Sequence, residues 1–160
     1  MLDTAALRRF GVVPLEQART LSGLDLLRRM RDGDLPAPPI CRLLGFDLVE
    51  VDFGRTVFAS TPTEDHNNVM GYAHGGYVAT LLDSCMACAV HSAVPAGQGY
   101  TTIEVKVNFT RPVRDRSGLV RAEGTVINAG SRIATAEGRL TDSAGTLLAH
   151  GTTTCLIFAI

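Results

Sequence analysis

Residues 65 to 93 read DHNNVMGYAHGGYVATLLDSCMACAVHSA, and the portion from Gly75 onward decides the fold. Beyond Gly76 it holds neither Gly nor Pro, and Ala, Val, Leu, Cys and Met fill most positions whatever their phase. A surface helix carries one apolar stripe, whereas a helix apolar around most of its circumference has to be covered on most sides. One carboxylate, Asp83, stands about two turns inside it. Its neighbours Leu81, Leu82, Cys85, Met86 and Ala87 offer nothing to pair with, so a charge there costs several kcal/mol unless a site uses it.

The covering is supplied by strand patterns on either side. FDLVEVDF (46–53) and RTVFASTP (55–62) flank Gly54 as a hairpin. Four more follow the helix: TTIEVKVNFTRP (101–112), SGLVRAEGTVIN (117–128), SRIATAEGRLTD (131–142) and TLLAHGTTTCLIF (146–158). In the first of these Ile103, Val105, Val107 and Phe109 alternate with Thr102, Glu104, Lys106 and Asn108, the period of an antiparallel strand with one face buried. Asn128-Ala129-Gly130 and Asp142 to Gly145 mark turns. The expected fold is α+β: a long central helix wrapped by a curved, mainly antiparallel sheet of five or six strands.

Residues 1–38 read as an N-terminal helical extension and residues 39–160 as the domain proper. Pro14 suits a helix start, Ser22 can cap GLDLLRRMRD, and LPAPPI (35–40) forms the joint. At 160 residues and 46% hydrophobic content the chain suits one core. Fifteen basic and sixteen acidic residues leave a formal charge of −1, which gives no field for nucleic acid and no polybasic patch for a membrane. MLDTAALRRF lacks a signal-peptide apolar run, so a cytoplasmic location is expected. Cys41, Cys85, Cys88 and Cys155 do not make a disulfide framework, and Cys85-x-x-Cys88 lies too deep in the helix for a redox pair, which needs the helix N-terminus.

The chemistry-bearing residues gather at the helix mouth. His74-Gly75-Gly76 places free backbone N–H groups and the positive dipole end where glycine lets a ligand approach. An oxyanion there gains roughly 3 kcal/mol per good donor, although two glycines also serve a tight turn. Asp83 follows His74 by nine residues, roughly 12 to 14 Å along a helix axis. Two copies with antiparallel helices would bring Asp83 of one against Gly75 of the other, a site shared across a dimer. Asn68 can donate to a carbonyl, hold a water or form a turn, and His74 can bond a substrate oxygen or orient the loop. His66, His91 and His150 lack metal-ligand spacing, so no metal is expected. Arg111, Arg114 and Arg116 could meet phosphates or form a solvated edge. No GxSxG, GxxxxGK[ST] or GxGxxG is present, which disfavours a nucleophilic serine and a dinucleotide site.

The spacing NxxGxxHGG from Asn68 to Gly76, with Asp83 in the helix behind it, resembles the hotdog-fold acyl-CoA thioesterases of the phenylacetic-acid-degradation type, over roughly residues 40 to 158. The resemblance implies a dimer through a continuous sheet, often a dimer of dimers, that hydrolyses fatty- or aryl-acyl-CoA with no cofactor beyond the coenzyme A of its substrate. It implies Gly75 as donor to the thioester carbonyl, Asn68 and His74 as support for that oxygen or the lytic water, and the partner's Asp83 as base or nucleophile. Thr102 is the implied assisting hydroxyl, with Thr101 the fallback; Gly76, Thr101, Arg111 and Arg114 are the candidate substrate contacts. A second branch, resembling 4-hydroxybenzoyl-CoA thioesterases, needs a hydroxyl where this chain has Ala87. A hotdog enoyl-thioester hydratase and a non-catalytic acyl-CoA-binding module are the alternatives; Arg28, Arg29 and Arg31 are too few to argue a DNA-binding extension.

Overall fold

The computed structural model describes residues 8–160; the first seven residues of the expected extension lie outside the described residues. Four helices, α1 (Leu15–Ala18), α2 (Gly23–Asp32), α3 (Pro39–Leu44) and α4 (Gly75–Ser92), accompany six strands. The strands are β1 (Phe46–Asp52), β2 (Arg55–Ser60), β3 (Gln98–Phe109), β4 (Val120–Ala129), β5 (Ile133–Thr141) and β6 (Leu147–Ala159). They form one antiparallel sheet in the order β1-β2-β4-β5-β6-β3, with α4 packed against it.

The helix seats itself on glycine. Gly124, Gly138 and Gly151 are register partners across β4, β5 and β6, so three adjacent strands present a row without side chains. A Cβ on Gly124 would lie 2.3 Å from the Cys85 carbonyl oxygen, and one on Gly138 would lie 2.7 Å from Met86 Cγ. On the neighbouring strand Thr56 is the register partner of Gly124, and its hydroxyl donates to the same Cys85 carbonyl at 2.8 Å. Leu81, Leu82, Cys85, Met86, Ala89 and Val90 are all at most 1% exposed, each worth roughly 1 to 3 kcal/mol of burial if large and apolar.

The extension is only partly helical. Ser22 caps α2, its Oγ accepting from the Asp25 N–H at 3.1 Å, and Gly33 ends it in the left-handed region. Before it stand the one-turn helix α1 and a turn, and Phe10 bridges Ala37 in parallel. The segment belongs to the common core: Leu27 and Met30 are buried, and the Gly23 N–H donates to the Val94 carbonyl just beyond α4. A Cβ on Gly23 would fall 1.8 Å from the His91 carbonyl oxygen.

The reading of β3 needs correction. Of the four residues expected on the buried face, Val107 packs against the core, while Ile103, Val105 and Phe109 are 55, 42 and 57% exposed. β3 is a sheet edge paired only with β6, and the register skips Ile103 between Thr102 and Glu104. That bulge reverses which residues face the helix, so a regular alternation does not carry through the strand.

The glycine row makes a direct prediction. Gly124→Ala forces a methyl group against helix backbone, which cannot swing aside, and should cost about 2 to 3 kcal/mol in urea denaturation. Gly11→Ala, whose Cβ would meet nothing closer than Pro36 at 3.7 Å, should be near neutral.

Candidate functional site

The loop before α4 is tied at both ends. The His74 N–H donates to the His66 carbonyl at 2.7 Å and the Ala73 N–H to the Val113 carbonyl at 2.9 Å. Between them Asn68 closes its own turn, Oδ1 accepting from the Met70 and Tyr72 N–H groups at 2.8 and 3.3 Å. Asn68 is therefore a turn residue in this chain, with its amide NH2 left over.

His74 is the N-cap of α4, and its Nδ1 accepts from the Gly76 N–H at 2.9 Å. The capping distance depends on glycine, since a Cβ on Gly76 would stand 3.1 Å from that nitrogen. Gly76 thus spends its N–H inside the helix start and is not a free donor to a ligand. Tyr77 and Val78 donate to the His74 carbonyl, which leaves the Gly75 N–H without a partner among the described residues. Gly75 lines a cavity of about 340 Å³ bounded also by Tyr72, Val78, Phe109 and Arg111. Arg111 reaches back to the Leu147 carbonyl at 2.9 Å, and Arg114 lies over the Tyr72 ring while donating to its hydroxyl at 3.2 Å.

Asp83 lies elsewhere. It is half-buried rather than stranded in apolar surroundings, and the Thr102 hydroxyl on β3 donates to its Oδ1 at 3.0 Å. The bond supplies the partner that the helix itself lacks. Both residues, with Thr101 and Ser84, line a second cavity of about 460 Å³ whose remaining wall is apolar and includes Met30, Ile40, Phe58 and Tyr100. Within one chain, then, Asp83, Thr102 and Thr101 share a cavity, Gly75 and Arg111 share another, and His74 and Gly76 face a third space beside His66 and Asn67.

Sequence reasoning passed over Tyr100, Ser84 and the contributions of Met30, Pro38 and Ile40 to the Asp83 cavity. Ser84 follows Asp83 directly and Tyr100 precedes the threonines, so their proximity was a readable signal; the reach of α2 and the proline joint was not. The CxxC reading is consistent with the surroundings. Desolvation pushes the Cys88 thiol up to about 12 and the Cys41 thiol up to about 11, and raises Cys85 further still.

The described helices include none long and apolar enough to cross a membrane. The sheet, its buried helix and the loop-to-helix mouth define a hotdog-type α+β protein. Residues 70–149 match the family model described as thioesterase superfamily, and the chain belongs to that family. A provisionally named esterase of Halobacterium salinarum is 36% identical over 75 residues, 46% of this chain and 48% of that protein, so the match spans about half of the relative's length. The structure is similar to a Ralstonia eutropha thioesterase described as phenylacetic acid degradation-related, with TM-score 0.74 at 27% identity over 81% of this chain and 98% of that one. It is also similar to the Escherichia coli PaaI protein of the phenylacetic acid degradation operon, with TM-score 0.74 at 20% identity over 88% and 96%, a likeness of fold.

The four free cysteines provide a check on the packing around the site. At neutral pH a chromogenic disulfide reagent should label none of them within minutes in the native protein and all four in guanidinium chloride. Rapid labelling of Cys85 or Cys88 would contradict their surroundings.

Proposed function

We propose that this protein hydrolyses an acyl-CoA thioester at a site assembled from two copies of the chain, with Asp83 of one copy acting beside the Gly75 N–H of the other. The observation that carries the reading is the division of the machinery. A carboxylate held by Thr102 lines one cavity, and Gly75, whose N–H is unpaired among the described residues, lines a different one. Eight residues of helix, about 12 Å, separate the two, so a single copy cannot bring them to one carbonyl.

A thioester carbonyl is electrophilic and its thiolate leaves readily, so the reaction asks for little. An N–H aimed at the developing oxyanion and a base that delivers hydroxide meet that need. Gly75 supplies the first, reinforced by the dipole of the 18-residue α4. Asp83 supplies the second, deprotonating water, with the Thr102 hydroxyl fixing one carboxylate oxygen so that the other faces the cavity. His74 shapes the mouth by capping, and Arg111 places a cation in the cavity that Gly75 lines, where a phosphate of coenzyme A would lie.

The exposed edge favours the second copy. β3 ends the sheet with Ile103 and Val105 uncovered, and Val69, Met70 and Phe109 stand exposed near the helix mouth. Long apolar edges are normally paired or blocked, and a twofold partner laid along β3 would do both while setting two α4 helices antiparallel.

Thiol release from a panel of short, long and aryl acyl-CoAs tests the activity. Asp83→Asn should lower turnover at least about a hundredfold with the fold intact, and Thr102→Val about tenfold with Thr102→Ser restoring most of it. Gly75→Pro removes the donor with little backbone strain, because proline suits the first helical position and His74 already has the extended ψ of 138° that precedes proline; its Cβ would stand 3.3 Å from the Phe109 ring, an exposed side chain that can give way. Co-expressing Gly75→Pro with Asp83→Asn chains should restore about a quarter of native activity, since half the dimers then carry one complete site. An inactive mixture would defeat the shared site, and a wild-type protein that binds acyl-CoA without releasing thiol would defeat the enzyme reading.

A further inference from the structure

The cavity that holds Asp83 does not end at its own wall. A second cavity of about 260 Å³ lies behind it, and Met30, Pro38, Cys88 and Tyr100 line both. These four residues form the partition between them, among them Met30 with its flexible thioether. Most of the far cavity's remaining lining comes from the N-terminal extension, Val12 and Val13, Leu26 and Leu27 of α2, and Pro36 of the joint, with Pro39 of α3 beside them.

The far cavity is also uncharged. Its surface is almost wholly apolar, and among the described residues no Lys or Arg lines either space. His91, which also lines the far cavity, packs against Tyr100 at 4.7 Å between ring centres. Burial holds its pKa down to about 4, so it is neutral at working pH. The Tyr100 hydroxyl has a distant Cys88 sulfur at 4.0 Å as its neighbour, which offers little competition to a passing chain.

We propose that the N-terminal extension is the specificity element of the site: the two cavities form one continuous pocket for a long, uncharged, apolar acyl chain, whose end lies under α2 beyond Met30 and Tyr100. This rests on the hydrolytic reading above and names the substrate class within it. Together the cavities fall in the size range of small-molecule pockets, and a neutral lining penalises an acyl group that ends in a carboxylate. Short acyl chains fill the near cavity alone and gain nothing from the extension.

The chain contains no tryptophan, so an introduced one is both a plug and a unique fluorophore. Leu26→Trp plugs the far cavity, and the ratio of kcat/KM for dodecanoyl-CoA to that for butyryl-CoA should fall at least tenfold, folding being checked by circular dichroism. Val12 is 83% exposed at the far rim and tolerates a large ring. In an Asp83→Asn background, Val12→Trp should shift its emission to the blue on adding dodecanoic acid and stay unmoved with butyric acid or coenzyme A alone. Adipoyl-CoA, ending in a carboxylate, should be a far poorer substrate than hexanoyl-CoA. A ratio preserved within twofold in folded Leu26→Trp overturns the proposal, and so does an emission indifferent to dodecanoic acid. Should wild-type protein release no thiol from any acyl-CoA, the hydrolytic reading fails, while the fluorescence titration still decides whether the extension covers a chain-binding pocket.

Discussion

Helix α4 lies against a row of three glycines, and much else in the molecule follows from that contact. A helix normally stands off a sheet by the width of two side-chain layers. Here Gly124 lets the backbone of β4 reach the backbone of the helix at Cys85, and Thr56 donates to the carbonyl at that point. The contact fixes the rotation of α4 as well as its distance. Cys85 faces the sheet; Asp83, two residues earlier and so about 200° around the helix, is turned away from the glycine row toward Thr102 and the open cavity. A helix free to roll would bury that carboxylate or lose it to solvent.

The strand that steadies Asp83 is also the strand that ends the sheet. The irregularity at Ile103 lets Thr102 face inward while Ile103 and Val105 lie uncovered. It also sets Thr102 and Val105 opposite the buried Cys155 and Thr153, on one face of the sheet, where a continuous alternation would place them on opposite faces. The site and the edge that a second copy would cover are therefore mechanically joined, and displacing β3 would disturb both. On the proposed two-chain reading this is economical, since assembling the dimer and presenting the carboxylate depend on the same twelve residues.

The local grammar of the chain was legible. Six strands, α4, the Ser22 cap and the Gly33 stop follow from periodicity and turn chemistry, which act over a few residues. What escaped depends on contacts between distant segments. A glycine stood in the interior of each of the last three strand patterns, but only the register shows that Gly124, Gly138 and Gly151 align beneath the helix. The alternation in β3 suggested a buried face because the bulge and the edge position are not written in its polarity. His74 and Gly76, read as possible ligand contacts, turn out to spend a hydrogen bond on each other, and that follows from two backbone angles rather than from composition. Thr102 was reached by family resemblance, and its hydroxyl donates to Asp83 across the space between β3 and α4, a contact between segments that no local pattern announces.

The extension shows why a specificity element need not be an appended lid. It meets the end of α4 at backbone level: Gly23 presses against the His91 carbonyl, and its N–H takes up the Val94 carbonyl beyond the last turn. That carbonyl would otherwise need water in a region enclosed by Leu27 and Met30. The same α2 residues then wall the space behind Tyr100. Terminating the helix and bounding the pocket are thus one packing problem. A change that reshaped the far cavity by moving α2 would loosen the end of the buried helix. Substitutions confined to its inward side chains leave that anchor in place, so the length of chain the pocket accepts can vary through Leu26 and Val13 while the position of Asp83 is kept.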